Sequence, residues 1–357
     1  MEVGSGFRRV MNTYLIRGPC LTLEKLAMKK SLIALAVLAA SGTSFAQSTV
    51  TMFGIVDAAV SVAKGDVADK TSMINSGYNS SRFGVRGVED LGGGLKASFH
   101  LEGALSNDDG NATGFNFQRR SLVSLMGGFG QIDLGREYTP HFWNHTVYDP
   151  FGTNGSGTQI GLNTAAGGST TVRTNNAVNY YTPTMGGFKL QLQTAFGEQA
   201  SNAAAPDAGN MTSARLSYDA GKLSAAVATG KTNVSAGVDI TSTNYGAAYD
   251  FGVAKLMGSV FKDEKTGATD TDGYVVGFTA PLGAGTFRAA LSQTEAGAAQ
   301  SKKTAIGYIY GLSKRTDLYA TYARVTNSGG ASASAGGATG GVNGSSNAMD
   351  FGVKHSF

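Results

Sequence analysis

The sequence predicts an all-β protein, a 16-stranded antiparallel transmembrane β-barrel. Three observations predict it. Residues Asn347 to Phe357 alternate at period two, with Met349, Phe351, Val353, His355 and Phe357 on one face. Asp350, Gly352, Lys354 and Ser356 take the other face, so the chain ends inside a two-faced strand. Such a terminus frays unless another strand ties it down, and the first strand of a closed sheet is the natural partner. Second, alternating segments of about 10 residues recur along the chain, as a tilted membrane strand requires. Third, after residue 46 no apolar run approaches the ~18 residues of a spanning helix. In lipid every backbone N–H and C=O must be paired, so a sheet of these strands has to close.

The barrel does not begin at residue 1. Met28-Lys29-Lys30 is a basic segment, Ser31 to Ala40 a short apolar run, and Ser44-Phe45-Ala46 a small-residue cleavage site. This is the pattern of a secretory signal peptide over 28–46, with the mature chain expected from Gln47. Residues 1–27 lie upstream of a complete signal and are expected to come from a misassigned start, with Met28 the true one. The remainder, 47–357, is the barrel. Residues 1–46 hold six of the 29 Lys/Arg and two of the 25 Asp/Glu, leaving 23 of each. The mature chain is neutral, so its basic isoelectric point carries no indication of a nucleic-acid partner. The single cysteine, Cys20, leaves with the leader, and a cysteine-free exported chain needs no disulfide or thiolate metal site.

The strands follow in order. Val50 to Val62 comes first, then Asn75 to Glu89 and, after Asp90-Leu91-Gly92-Gly93-Gly94, Leu95 to Ala104. A polar loop, Ser106 to Gly114, leads to Phe115–Met126, and Gly127-Gly128-Phe129-Gly130 turns into Gln131–Glu137. The longest early loop runs from Tyr138 to about Thr171. Val172–Pro183 and the strand from Phe188 follow. Then come the pairs Met211–Tyr218 with Lys222–Thr232, Thr243–Tyr249 with Val253–Lys265, Tyr274–Ala280 with Thr286–Thr294, and Lys303–Leu312 with Asp317–Val325. The Gly/Ser/Ala-rich stretch Asn327–Ser346 precedes the last strand. An even strand number places both termini and the tight turns on the periplasmic side, with longer loops outside. Barrels of about 16 strands enclose water, so half of each strand can be polar without a packed core. A soluble solenoid would show a fixed repeat of about 20–50 residues, and none is present.

Several segments resemble the Gram-negative trimeric general porins, especially those of beta-proteobacteria. They are Ser48–Val60 (STVTMFGIVDAAV), Ser81–Ala97 (SRFGVRGVEDLGGGLKA), Gly127–Glu137 (GGFGQIDLGRE), Asn175–Pro183, Tyr310–Tyr319 and the terminal KHSF. The resemblance covers the mature chain in order. It implies a homotrimer in the outer membrane, in contact with lipopolysaccharide and lipid, that passes small hydrophilic solutes passively. It implies that the long loop after the fifth strand folds inward as a constriction. It also implies that Phe357 is the aromatic read by the outer-membrane assembly machinery.

Strand parity adds candidate pore residues. Phe83 and Val85 face lipid, so Arg82 and Arg86 face the lumen. Val172, Val178 and Tyr180 share the outer parity, so Arg173 points inward with Asn175 and Asn179. In the fourth strand, parity with Ser121 makes Arg119 rather than Arg120 the lumen residue. Arg82, Arg119 and Arg173 match the positions of the basic cluster that similar porins carry at the constriction. The loop residues Glu137, His141, Trp143, His145 and Asp149 would face them, with Asp149 the clearest carboxylate. An acid-poor loop opposite three arginines predicts a modest anion preference.

Other constellations point to less. His141 and His145 are spaced i, i+4, a metal-ligand spacing on a helix, but the segment reads as a loop and no third ligand accompanies them. Asp263, Glu264, Asp270 and Asp272 read as one outer loop, able to meet Ca²⁺ or lipopolysaccharide through divalent ions. No nucleophile–base motif is present, so neither catalysis nor a cofactor is expected. The reading is a general diffusion porin. The alternatives are a selective channel for phosphate or dicarboxylates, and a barrel serving as adhesin or structural anchor.

Overall fold

The computed structural model describes residues 49–110, 116–163 and 172–357. The expected leader, 28–46, and the upstream stretch 1–27 lie outside the described residues. Seventeen strands form a single antiparallel sheet that closes on itself. They are β1 (Thr49–Gly65), β2 (Lys70–Asn75), β3 (Arg82–Gly92), β4 (Leu95–Ala104), β5 (Arg120–Gly127), β6 (Gly130–Tyr138), β7 (Arg173–Tyr181), β8 (Phe188–Ala195) and β9 (Met211–Ala220). The far wall holds β10 (Leu223–Ser235), β11 (Val238–Asp250), β12 (Lys255–Lys265), β13 (Thr271–Leu282), β14 (Gly285–Ala296), β15 (Ala299–Gly311), β16 (Thr316–Ser328) and β17 (Ser345–Ser356). β1 pairs with β2 through Ala58–Ala63 and with β3 through Thr49–Ile55. β2 and β3 therefore share one stave, and the barrel is 16-stranded.

The second strand expected at Asn75–Glu89 is interrupted at 76–81. The cause is Asp57, fully buried on β1. Its carboxylate accepts from the amides of Gly77, Tyr78 and Asn79 and from the hydroxyl of Tyr319. Satisfying a buried carboxylate with local amides draws those amides out of the ladder, so the stave breaks there.

Closure occurs where the last strand predicted it. β17 pairs with β1 from Ile55↔Ser356 to Gly65↔Ser346. Phe357 continues the ladder, exchanging backbone hydrogen bonds of 3.1 Å with Gly54 in both directions. Met349, Phe351, Val353 and Phe357 are exposed, while Asp350 is buried. Exposed apolar residues thus form the outer face, and polar ones turn inward. Ring pairs stand beside the tight turns, Phe188 with Tyr218 and Tyr249 with Phe251, where a membrane barrel carries its aromatic girdle.

The outer connections are not all long. β10 and β11 meet at a two-residue turn, and β14 meets β15 the same way. Polar alternation continues past the apolar belt there, so the sequence lost its strand signal before the strand ended. For the same reason the four outer acids do not share a loop. Asp263 and Glu264 belong to β12 and Asp272 to β13. Asp263 points inward and is buried, while Lys262 pairs outside with Glu264 and Asp270 at 2.9 and 3.0 Å.

Candidate functional site

The site is built on the connection between β6 and β7. Glu137 belongs to β6 rather than to this connection. Thr139 starts α1 (Pro140–Val147): its hydroxyl accepts from the Phe142 amide, and Pro140 occupies the first turn, where no N–H is needed. His141 and His145 therefore lie on a helix and not on a loop. Both are buried, and they do not converge: His141 Nδ1 lies 3.3 Å from Ser213 Oγ, while His145 packs edge-on against Phe261. Among the described residues no group of three His, Cys, Asp or Glu could hold a metal ion.

Small wall residues make room for this helix. Ala226, Ala228 and Gly230 of β10 and Gly246 and Ala248 of β11 face it. A Cβ at Gly246 would overlap the ring of Tyr148, and one at Gly230 the ring of His141. The Asn244 amide donates to His141 O at 2.9 Å, and Arg215 Nε donates to Asn144 Oδ1 at 2.6 Å. Farther along, Ser156 donates through N and Oγ to Asp350 of β17 at 3.0 and 2.9 Å. Lys303 Nζ of β15 donates to Thr158 O at 2.9 Å, and Ile160 N donates to Ser292 Oγ of β14 at 3.1 Å. Residues 139–160 thus bond to inward positions of β9, β11, β14, β15 and β17.

Facing this segment is a cavity of about 580 Å³ with five arginines in its wall: Arg82, Arg119, Arg120, Arg173 and Arg288. Among the described residues two carboxylates, Glu102 and Asp149, line the same space. Glu102 of β4 accepts from Arg119 Nε at 2.6 Å and lies 3.6 Å from Arg82. The Tyr138 hydroxyl accepts from Arg119 at 2.6 Å and from Arg173 at 2.5 Å. The Arg173 guanidinium also lies over the Tyr138 ring, 4.2 Å from its centre. Arg120 pairs with buried Glu137 of β6. Arg288, from the far wall, is held between the rings of Phe151 and Tyr78.

The structure thus brings together Arg82, Arg119 and Arg173. Asp149 lines the cavity, but its carboxylate accepts from the amides of Phe151 and Gln159 at 2.9 and 3.0 Å. Burial pushes its pKa up while those amides hold it down. It braces its own segment.

Sequence parity missed three arrangements. Arg120 is inward: Leu122 and Ser124 are buried on its side, while Val123 and Leu125 are exposed. Arg119 sits one residue before β5, where the alternation does not yet apply, so both arginines reach the lumen. Asn175, expected inward, is exposed and accepts from Arg136, because a register shift at Gly135/Glu137 and a left-handed Asn176 (φ 52°) turn the strand over. Arg288 gave only the ordinary signal of a polar residue at inner parity, shared by most of the wall.

Comparison with known proteins adds the family. The family described as Gram-negative porin matches residues 32–330. The chain belongs to the Gram-negative porin family. Outer membrane porin protein 32 of Delftia acidovorans is 43% identical over 316 residues, covering 84% of this chain and 90% of that one. An outer membrane porin of Bordetella pertussis is 31% identical over 360 residues, covering 82% and 93%. Among solved structures, an anion-selective porin from Comamonas acidovorans superposes with a TM-score of 0.81 at 36% identity, covering 87% of this porin and all of that chain. A Vibrio cholerae outer-membrane protein shares the fold with a TM-score of 0.65 at 16% identity. This porin is a closed 16-stranded barrel of the Gram-negative outer membrane and acts there in transport.

Proposed function

We propose that this porin passes small hydrophilic solutes by passive diffusion with a modest preference for anions, and that residues 139–163 set its narrowest section. The observation that carries the reading is the cavity between that segment and β3–β7. Five arginines line it against two carboxylates; counting Glu137 behind Arg120, the excess is two positive charges. Residues 47–357 carry 23 Lys/Arg and 23 Asp/Glu, so ion preference has to come from local placement. Arg82, Arg119 and Arg173 supply it, and Arg120 and Arg288 add to it. Asp149 holds the segment's shape rather than opposing the arginines. The anion selectivity of the Comamonas acidovorans relative accords with this reading.

The working unit is a homotrimer in contact with lipopolysaccharide, assembled through recognition of Phe357, and its role is transport rather than catalysis. Single-channel recording tests the reading. A general porin gives a large steady conductance whose zero-current potential in a KCl gradient lies on the anion side. An adhesin or anchor gives no such conductance.

A further inference from the structure

A second cavity, of about 290 Å³, is lined by Tyr181, Lys189, Arg215 and one carboxylate, Asp133, together with neutral polar side chains of β6, β8 and β9. It shares two residues with the arginine-lined cavity: Arg120 and Trp143. These two side chains border both cavities. Trp143 is the sole tryptophan of the chain. Tryptophan in membrane proteins ordinarily gathers at the lipid interface. Here it stands inside, on α1, half-buried. Its ring is fixed from behind: it tilts against Tyr138 at 5.0 Å, and Tyr138 stacks on Phe142 at 5.6 Å with planes 7° apart. Arg120 uses one terminal nitrogen for Glu137, and its buried Nε has no partner.

We infer that the Arg120–Trp143 junction is a binding subsite for planar aromatic carboxylates. The inference rests on the anion preference proposed above and names a class of anion. A carboxylate suits the guanidinium, which presents donors in a plane. The ring it carries suits the face of an immobilised indole. Lys189 lies 5.3 Å over the Tyr181 ring, and Arg215 is held by Asn144, so a second cation–aromatic pair waits in the next cavity. An aliphatic carboxylate meets the same charges and gains nothing from the rings. The subsite therefore discriminates by shape among anions of equal charge.

Because Trp143 is alone, its fluorescence reports on this point. Purified porin is titrated with benzoate, cyclohexanecarboxylate and acetate at matched ionic strength, and the same solutes are added during single-channel recording. The expected result is a saturable change in Trp143 emission and saturable interruption of current with benzoate, at concentrations about tenfold below those for cyclohexanecarboxylate. Trp143→Leu abolishes the difference between the two, Trp143→Phe keeps part of it, and Arg120→Gln weakens both alike. Equal effects of benzoate and cyclohexanecarboxylate on wild-type porin, or a response that never saturates, overturn the subsite even if the variants fail to fold. The anion preference is read separately from the reversal potential in KCl, which contains no aromatic solute. It can therefore stand when the subsite falls.

Discussion

Replacing Arg82, Arg119 and Arg173 with glutamine removes three charges from a cavity whose excess is two, leaving an excess of one negative charge. The size follows from Coulomb's law. A permeant ion about 7 Å from a unit charge in water feels about 0.6 kcal/mol, and a Debye length of ~10 Å at 0.1 M salt halves this. Two charges then attract an anion by about 0.6 kcal/mol and repel a cation by as much, a preference of about 1.2 kcal/mol or roughly eightfold, and the variant favours cations roughly threefold. One complication is visible in the structure. Arg119 and Arg82 are the guanidinium partners of buried Glu102, and stripping them leaves that carboxylate only His100, 3.2 Å away, at a cost of up to about 3–5 kcal/mol. Adding Glu102→Gln removes this penalty and brings the excess to zero. The assay is the zero-current potential in a KCl gradient, with folding verified by resistance to unfolding in detergent. The triple variant should move to the cation side and the quadruple variant close to zero. Changes at the outward Val85 or Val178 should leave the potential where it is. A folded quadruple variant that keeps the wild-type potential would show that the selective charges lie elsewhere.

Three further outcomes are expected. Deleting Phe357 removes the two backbone bonds to Gly54 and the terminal aromatic, so outer-membrane trimer yield should fall while synthesis and export continue; quantitative blotting of membrane fractions decides this. Asp350→Ala leaves Ser156 and Ser61 without their shared acceptor, a loss of about 1–3 kcal/mol that should loosen the 139–163 segment and raise open-channel current noise, and an unchanged noise spectrum would contradict the tether. His141 and His145, on α1 between the spanning strands, are held neutral by burial, with pKa values of about 3 and about 4. These lie below the ordinary value near 6.5, so the unfolded chain takes up the proton first. Their contribution to stability is complete above about pH 6.5 and declines as pH falls toward the folded values, by up to about 1.4 kcal/mol per unit for each ring. Thermal unfolding between pH 7 and 5 should show that slope, and a His141→Asn/His145→Phe variant should flatten it.

The sequence by itself determined the barrel, its strand number and its closure. Period-two alternation is a local signal, and lipid enforces it at every outward position, so Met349, Phe351 and Val353 declared their face without knowledge of any partner. The same parity placed Arg82 on the inner wall; Arg173 reaches the cavity from beyond the register shift, where Val172, expected outward, lines the same space. Parity erred at Arg120, whose side of β5 it took for the outer one, and failed where the backbone stops being regular: at Asn175, beyond the register shift, and at 76–81, where Asp57 draws three amides from the ladder. No local pattern announces such events, because each depends on a residue brought near by closure. Tertiary structure alone decided what the inward residues meet. Asp149 turns to its own segment's amides, Glu102 stands among arginines from other strands, and Arg288 arrives from the far wall. Trp143 touches two cavities because small residues on β10 and β11 leave space for α1. An inward-facing side chain is constrained by whatever the lumen contains, and that is set by residues far away in the chain.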